Sequence, residues 1–195
     1  MFHATDDGAT ESEYLALISS QISVFKPTCL IETGTWHGDG SAAMLQAAGP
    51  GSRVITLCHH TLSQEVQQGL EAIAQEQQNE VTFVKANTRD LIAGRSGFAW
   101  SKLTQGKATF AFLDSSIPDR SHEFAYISDP ANGVLDFSRP LCVCVHDMSL
   151  YLAPGEDADM PETDLQAVNK AMEHTHSSPN RTSKSNDLCA VGNKS

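Results

Sequence analysis

Apolar residues recur along the chain with two spacings, one helical and one typical of buried strands. A helix is predicted over 11–25, where apolar residues lie mostly three or four positions apart, at Tyr14, Leu15, Ile18, Ile22 and Phe25. Short apolar runs, several of them β-branched and bounded by Pro, Gly or polar residues, indicate buried strands instead. Five such runs follow the helix, at 29–33, 53–57, 81–85, 108–113 and 141–145.

The segments between these strands predict helices. They are 41–48, 62–77, a broken helix over 89–100 that Gly94 and Gly97 interrupt, and a weak helix over 122–128, followed by a loop over 129–140. Strands that are apolar on both faces and alternate with helices are typical of a parallel sheet covered on each side. The predicted fold class is therefore α/β, a three-layer α/β/α sandwich with a Rossmann-like, doubly wound and mostly parallel sheet.

The length of 195 residues fits a single domain. We divide the domain into the leading helix at 11–25, a core at 28–150 and a less regular C-terminal segment at 151–195. In this last segment, 163–174 predicts a helix and 188–191 a final strand. Whether the protein forms a homo-oligomer is left open.

The charge and the cysteine content limit the expected binding partners and the expected cellular compartment. With 24 acidic and 13 basic side chains the net charge is -11, and the scattered Lys and Arg form no basic run, so nucleic acid is not an expected partner. No apolar stretch reaches the roughly 18 residues of a membrane span, and the N-terminus carries no apolar targeting segment. The odd number of cysteines, three of them in apolar runs, indicates a reducing compartment, and we expect a cytoplasmic protein. Cys142 and Cys144 have no second pair at zinc-binding spacing.

A glycine-rich stretch, Glu32-Thr33-Gly34-Thr35-Trp36-His37-Gly38-Asp39-Gly40-Ser41, connects the first strand to the next helix. Gly34, Gly38 and Gly40 allow a tight turn and let a ligand lie against bare main chain. The N-terminus of the following helix adds unpaired N–H groups. Because the stretch follows the first strand of an alternating α/β pattern, it predicts a site for a nucleotide-like cofactor.

Polar residues also end the fourth and fifth strands, where open parallel sheets place their sites. Asp114 follows the fourth strand, and His146 and Asp147 follow the fifth. An Asp at a strand end often only caps the next turn. His146 could act as a general base because imidazole titrates near neutral pH, whereas His122 is more typical of a surface histidine.

The glycine-rich stretch resembles motif I of the class I S-adenosylmethionine-dependent methyltransferases, an acidic residue followed by a G-T-x-x-G-type loop. Two further segments, Phe112-Leu113-Asp114 and Val145-His146-Asp147-Met148, are similar to segments of small-molecule O-methyltransferases related to catechol and macrocin O-methyltransferases. The resemblance covers about residues 12–150. It implies that S-adenosylmethionine (SAM) binds at the loop and that a methyl group passes to a small-molecule acceptor, at a hydroxyl.

The resemblance also implies roles for particular residues. Asp114 and Asp147 would hold Mg²⁺ on the acceptor oxygen, or His146 could instead be the general base, with Asp114 and His146 as the catalytic residues. The Glu32 carboxylate would lie near the ammonium of SAM, or would instead cap its own loop. The implied cofactor contacts are Glu32, Gly34, Thr35, Gly38, Ser41, His59, Asn87 and Asp114.

The end of the second strand departs from the family. Methyltransferases of this class usually carry there an acidic residue that binds both ribose hydroxyls, but this chain has Cys58-His59-His60. His59 could contact one hydroxyl. Adjacent side chains on an extended chain point opposite ways, so the two histidines predict no metal site. Because of this departure we keep a second hypothesis, a methyltransferase-like domain that has lost catalysis and serves as a binding or assembly module. A dinucleotide or nucleotide-sugar enzyme is disfavoured by the glycine spacing.

Overall fold

The computed structural model describes residues 12–95 and 99–146, which contain six α-helices and five strands. The helices are α1 (Ser12–Phe25), α2 (Asp39–Ala47), α3 (Gln64–Glu76), α4 (Thr88–Ile92), α5 (Trp100–Thr104) and α6 (Ile117–Ile127). The strands are β1 (Cys29–Thr33), β2 (Arg53–Cys58), β3 (Glu80–Lys85), β4 (Phe110–Leu113) and β5 (Cys142–Val145). The helix predicted at 163–174 and the strand predicted at 188–191 lie outside the described residues.

The five strands form one parallel sheet in the order β3-β2-β1-β4-β5. Its central strand, β1, pairs with β2 on one side and β4 on the other, so Glu32 lies opposite Thr56 and also opposite Phe112. The chain order reverses at β1, and ligands of open α/β sheets bind at such a point, beyond the carboxyl ends of the strands. The topology therefore brings the ends of β1 and β4 together at the predicted site.

Helices cover both faces of the sheet, which confirms the predicted three-layer α/β/α architecture. Alternate strand residues face opposite ways, so Leu30 packs with α1, α2 and α3 while Ile31 packs with residues of α5 and α6. Both side chains are fully buried. This two-sided burial explains why the strands are apolar throughout and show no polar alternation.

Two predicted boundaries near the site are wrong. The weak helix expected at 122–128 begins at Ile117, because the proline in its first turn needs no hydrogen-bonding N–H there. The residues from Ile117 to Arg120 therefore form the first turn of α6. The fourth strand is also shorter than 108–113, since Ala108 forms only an isolated bridge to Leu135 before β4 begins.

The broken helix predicted over 89–100 is divided into two short helices. The first, α4, ends at Ile92 shortly before Gly94, whose φ of 70° leaves the helical region, and α5 begins only at Trp100. In the described part of the chain, no helix is long and apolar enough to cross a lipid bilayer.

Candidate functional site

The loop between β1 and α2 turns at two glycines in the left-handed region, Gly34 with φ 81° and Gly38 with φ 86°. The N–H of Gly34 donates to the carbonyl of Leu57 at 2.9 Å, which ties the loop to β2. A Cβ on Gly34 would lie 2.0 Å from the carbonyl oxygen of Asp114. Gly34 is therefore required because the loop touches the end of β4, a contact that the sequence did not reveal.

Gly40 makes room for a side chain of the same loop. A Cβ at Gly40 would lie 2.1 Å from Oε1 of Glu32, and one at Gly38 would lie 3.1 Å from Cγ1 of Val66. The glycines do allow the tight turn that we predicted. The space left by their missing side chains, however, is taken up by protein atoms, so glycine content alone is not evidence for a ligand here.

The Glu32 carboxylate is buried beneath this loop, with 2% of the residue exposed. Its Oε2 accepts a hydrogen bond from the hydroxyl of Thr56 at 2.8 Å and another from the hydroxyl of Ser41. Burial raises the pKa of Glu32 to about 7, although the hydrogen bonds from Ser41 and Thr56 oppose the rise. The carboxylate thus joins β1, β2 and the first turn of α2, and these contacts are those of a group that orders its own loop.

Thr35 and Trp36 show that the loop has an anchored side and an exposed side. Thr35 is 3% exposed, and its hydroxyl donates to the carbonyl of Leu57 at 3.1 Å and also contacts the hydroxyl of Thr56. Trp36 has a φ of 42° and is 48% exposed. The loop is fixed from beneath while its outer surface stays accessible to a ligand.

Asp114 follows β4 and lies close to a guanidinium and an imidazole. Its Oδ1 lies 3.1 Å from Nη2 of Arg120 and 2.9 Å from Nδ1 of His146. Arg120 also donates to the carbonyls of Ser115 at 2.5 Å and of His146 at 2.9 Å, and only 8% of its side chain is exposed. The guanidinium therefore fastens the ends of β4 and β5 together.

His146 directly follows β5, and its imidazole contacts the leading helix as well as Asp114. The ring centroids of His146 and Tyr14 are 4.4 Å apart in an edge-to-face arrangement, and Phe112 lies on the same side at 6.3 Å. The side chain of His146 is 12% exposed. Asp114 and His146 are thus brought together as predicted, whereas Asp147 lies outside the described residues.

A second buried carboxylate, Glu123, lies on the opposite face of the sheet. Its Oε2 accepts a hydrogen bond from the hydroxyl of Thr33 at 2.6 Å, and none of the residue is exposed. Burial raises the pKa of Glu123, and the hydrogen bond from Thr33 opposes the rise. Sequence reasoning assigned Glu123 no role, although its place one turn after Arg120 on α6 was a usable signal that both side chains face the sheet.

Asn87 and His122 were the other two site candidates from the sequence. The side-chain oxygen of Asn87 accepts from the N–H of Arg89 at 2.9 Å and caps α4. His122 is half-buried on α6.

The end of β2 differs from the expectation for adjacent histidines. The rings of His59 and His60 are 4.6 Å apart, with 3.4 Å between Nε2 of His59 and Nδ1 of His60. Sγ of Cys58 lies 3.5 Å from the same Nδ1. The prediction that the two rings point apart is wrong because the chain bends after Cys58 and is no longer extended.

No protein-family model matches the chain, and no curated protein does either. Solved structures do match. The O-methyltransferase TomG from Streptomyces achromogenes, involved in tomaymycin synthesis and in complex with SAM, has a TM-score of 0.56 at 20% identity over 86% of this chain and 70% of TomG. An O-methyltransferase from Bacillus cereus in complex with S-adenosylhomocysteine (SAH) has a TM-score of 0.57 at 14% identity over 89% of this chain and 73% of that protein. An SAH-bound methyltransferase of Podospora anserina has a TM-score of 0.56 at 13% identity over 89% of this chain and 73% of that protein.

These similarities confirm the fold: the chain has the Rossmann-like architecture of the class I methyltransferases. In the described residues the loop before α2, the end of β4 and the end of β5 meet at one edge of the sheet. That edge carries a buried carboxylate, an ion-paired aspartate and a histidine.

Proposed function

We propose that the protein is a SAM-dependent methyltransferase that transfers a methyl group to a small-molecule acceptor, at a hydroxyl. The observation that carries the proposal is the direct packing of the Gly34 turn on the main chain of Asp114. It puts the loop that would hold the donor beside the strand end that would hold the acceptor. The structural neighbours, which include O-methyltransferases bound to SAM or SAH, support the same reading.

The residues of the loop fit the methionine part of SAM. Its anchored side, with Glu32, Thr35 and Ser41 buried, fixes the main chain at Gly34 and Gly38. Fixed N–H groups at the start of a helix favour a negatively charged carboxylate. We propose that Glu32 mainly holds this loop in place, and that with a pKa of about 7 it carries part of a negative charge near the ammonium at neutral pH.

We assign the nucleoside part of SAM to the ends of β2 and β3. His59 is exposed and would contact a ribose hydroxyl. The oxygen of Asn87 already caps α4, so its amide N–H would bind an acceptor nitrogen of the adenine ring.

In methyl transfer the protein mainly has to align the methyl donor with the acceptor and remove a proton from the acceptor. The sulfonium of SAM supplies an activated methyl group, so holding donor and acceptor in line does much of the work. We propose that His146 accepts the proton of the acceptor hydroxyl on Nε2, because Nδ1 lies 2.9 Å from Oδ1 of Asp114. Asp114 would orient the imidazole and stabilise its protonated form.

Binding of Mg²⁺ by Asp114 and Asp147 stays a prediction, and the proposed proton transfer to His146 does not require it. Oδ1 of Asp114 is already 3.1 Å from the guanidinium of Arg120, and a divalent cation on that oxygen would be repelled. A thermal shift with Mg²⁺ that wild type shows and Asp147→Ala lacks would support the metal site. The same response in both proteins would contradict it.

We further propose that the protein acts in the cytoplasm on a freely diffusing small molecule and not on nucleic acid. The net charge of -11 would repel a phosphate backbone. Cys142 and Cys144 are buried free thiols with 3.7 Å between their sulfur atoms, as expected in a reducing compartment.

A transfer assay tests the proposed reaction. The full chain is incubated with methyl-labelled SAM and a panel of catechols and phenols, and the label is counted in the extracted products. We expect label in a panel member and, for His146→Gln, a kcat lower by about 10²- to 10⁴-fold with SAH affinity unchanged. SAH binding with no transfer to any panel member would favour the binding or assembly module instead.

A further inference from the structure

Three metal-ligating side chains converge at the carboxyl end of β2, where the family's ribose-binding acid is missing. The ligand atoms of Cys58, His59 and His60 all lie within 4.8 Å of one another. Sγ of Cys58 is 3.5 Å from Nδ1 of His60, and this nitrogen is 3.4 Å from Nε2 of His59. Neither the proposed cofactor loop nor the proposed proton transfer uses these three side chains together.

Two of the three distances between the ligand atoms match the edges of a tetrahedral zinc site. With a Zn–S distance of about 2.3 Å and a Zn–N distance of about 2.0–2.1 Å, tetrahedral angles put S and N about 3.5 Å apart and two N atoms about 3.3 Å apart. The two distances measured here, 3.5 Å and 3.4 Å, agree with those edges. Sγ of Cys58 is also 3.4 Å from Nε2 of His60, so the imidazole of His60 has to rotate for Nδ1 to face a cation bound to the sulfur.

We propose that Cys58, His59 and His60 bind one borderline-soft divalent cation of the Zn²⁺ class, with water as the fourth ligand. A thiolate with two imidazoles selects such a cation over Mg²⁺ or Ca²⁺, which prefer oxygen. On binding, the Cys58 thiol releases its proton to solvent while the sulfur–metal bond forms, and both histidines bind as neutral imidazoles. No oxidation or reduction takes place.

The surroundings combine a rigid base with an open side. Cys58 is 5% exposed and is held by β2, while His60 is half-buried with its ring 5.1 Å from that of Trp36. His59 is exposed, so a cation and its water can enter from solvent. Lys85 lies opposite Cys58 in the strand register, and its ammonium donates a hydrogen bond to the hydroxyl of Thr61 at 2.7 Å.

The site has a consequence for the cofactor that rests on the proposed function. We assigned His59 to a ribose hydroxyl, so a cation that takes up the imidazole of His59 would compete with SAM and SAH. Zn²⁺ would then raise the apparent Kd for SAH. Metal binding itself is measured without any nucleoside, and its outcome is therefore independent of whether the protein is a methyltransferase.

Cobalt spectroscopy on the full chain tests the metal site. The protein is stripped with a chelator, reduced with a phosphine and titrated with Co²⁺, which reports thiolate ligation by a charge-transfer band in the near ultraviolet. We expect the band to saturate with one Co²⁺ per chain bound through Cys58 and to disappear when Zn²⁺ is added. Cys58→Ser should abolish it, whereas Cys29→Ser, at a cysteine with 6% exposure on β1, should keep it.

A second variant covers the case in which Cys58→Ser does not fold. His59 is exposed, so His59→Ala should keep the fold, checked by far-ultraviolet circular dichroism. Loss of this ligand should weaken Zn²⁺ binding by at least about 10- to 100-fold, since even outer-shell partners of a metal contribute that much. The proposal is overturned if wild type shows no thiolate band at millimolar Co²⁺. It is equally overturned if Cys58→Ser or His59→Ala binds the metal as wild type does.

Discussion

Nδ1 of His146 lies 2.9 Å from Oδ1 of Asp114, and this contact joins the carboxyl ends of β5 and β4. Arg120 binds the same carboxylate oxygen at 3.1 Å and the carbonyl of His146 at 2.9 Å. One buried guanidinium therefore determines where two candidate catalytic side chains lie. The proposed chemistry depends on that arrangement.

Arg120→Met should destabilise the protein strongly. The substitution leaves the Asp114 carboxylate, whose side chain is only 12% exposed, without its guanidinium. Breaking a buried pair in this way costs about 3–5 kcal/mol in the free energy of unfolding, which urea denaturation measures. Asp114→Asn in the same chain should restore part of the loss because it removes the uncompensated charge.

Arg95→Met is the matched control for this substitution. Arg95 pairs with Asp90 at 2.9 Å, but the two side chains are 67% and 45% exposed. Its removal should change the free energy of unfolding by less than about 1 kcal/mol. Equal effects of the two substitutions would show that Arg120 does not hold the strand ends together.

Gly34→Ala should disrupt the loop and its contact with β4. Alanine rarely adopts the φ of 81° found at this position, and its Cβ would lie 2.0 Å from the carbonyl oxygen of Asp114. We expect a loss of more than about 2 kcal/mol in the free energy of unfolding. Gly69→Ala on α3, where an added Cβ meets no atom within 4 Å, should instead stabilise by about 0.5–1 kcal/mol. A Gly34→Ala protein as stable as wild type would contradict the packing described here.

The Glu32 carboxyl should make stability fall as the pH rises towards neutrality. Its pKa is about 7 in the folded protein against an ordinary 4.5, so the folded state keeps a proton that the unfolded state has already lost. Stability from this group is complete below about pH 4.5 and is lost as the pH rises through about 7, a difference of about 3 kcal/mol. Glu123, whose pKa is also raised, changes stability in the same direction.

Glu32→Gln isolates this contribution. The amide stays neutral and can still accept from Ser41 and Thr56 through its oxygen. We expect the variant to be more stable than wild type at about pH 8 and similar to it at about pH 4.5, as measured by urea denaturation across the pH range. Parallel pH curves for the two proteins would show that the buried carboxyl does not titrate as described.

The sheet was predictable because its strands are buried on both faces. A run such as Cys29–Thr33 is apolar without alternation, and only a sheet covered on each side buries every position of such a run. The polar residues after β4 and β5 were equally visible, since the carboxyl ends of parallel strands meet at one edge. Asp114 and His146 were found in this way.

What stayed hidden depends on tertiary contacts. The sequence does not distinguish a buried arginine from an exposed one. Arg120 is buried because Asp114 and two carbonyls accept hydrogen bonds from its N–H groups. The spacing of His59 and His60 follows from the bend after β2, and the role of Gly34 follows from a strand that is distant in sequence. Such features require the assembled sheet.

Calorimetric titration of the full chain, stripped of metal, with SAH measures whether the loop at the end of β1 binds the cofactor. We expect saturable binding of one SAH per chain with a Kd below about 1 mM, weakened in Gly34→Ala protein and unaffected by Gly69→Ala. If well-folded wild-type protein binds no SAH at millimolar concentration, the loop holds no such cofactor and the protein is not a SAM-dependent methyltransferase.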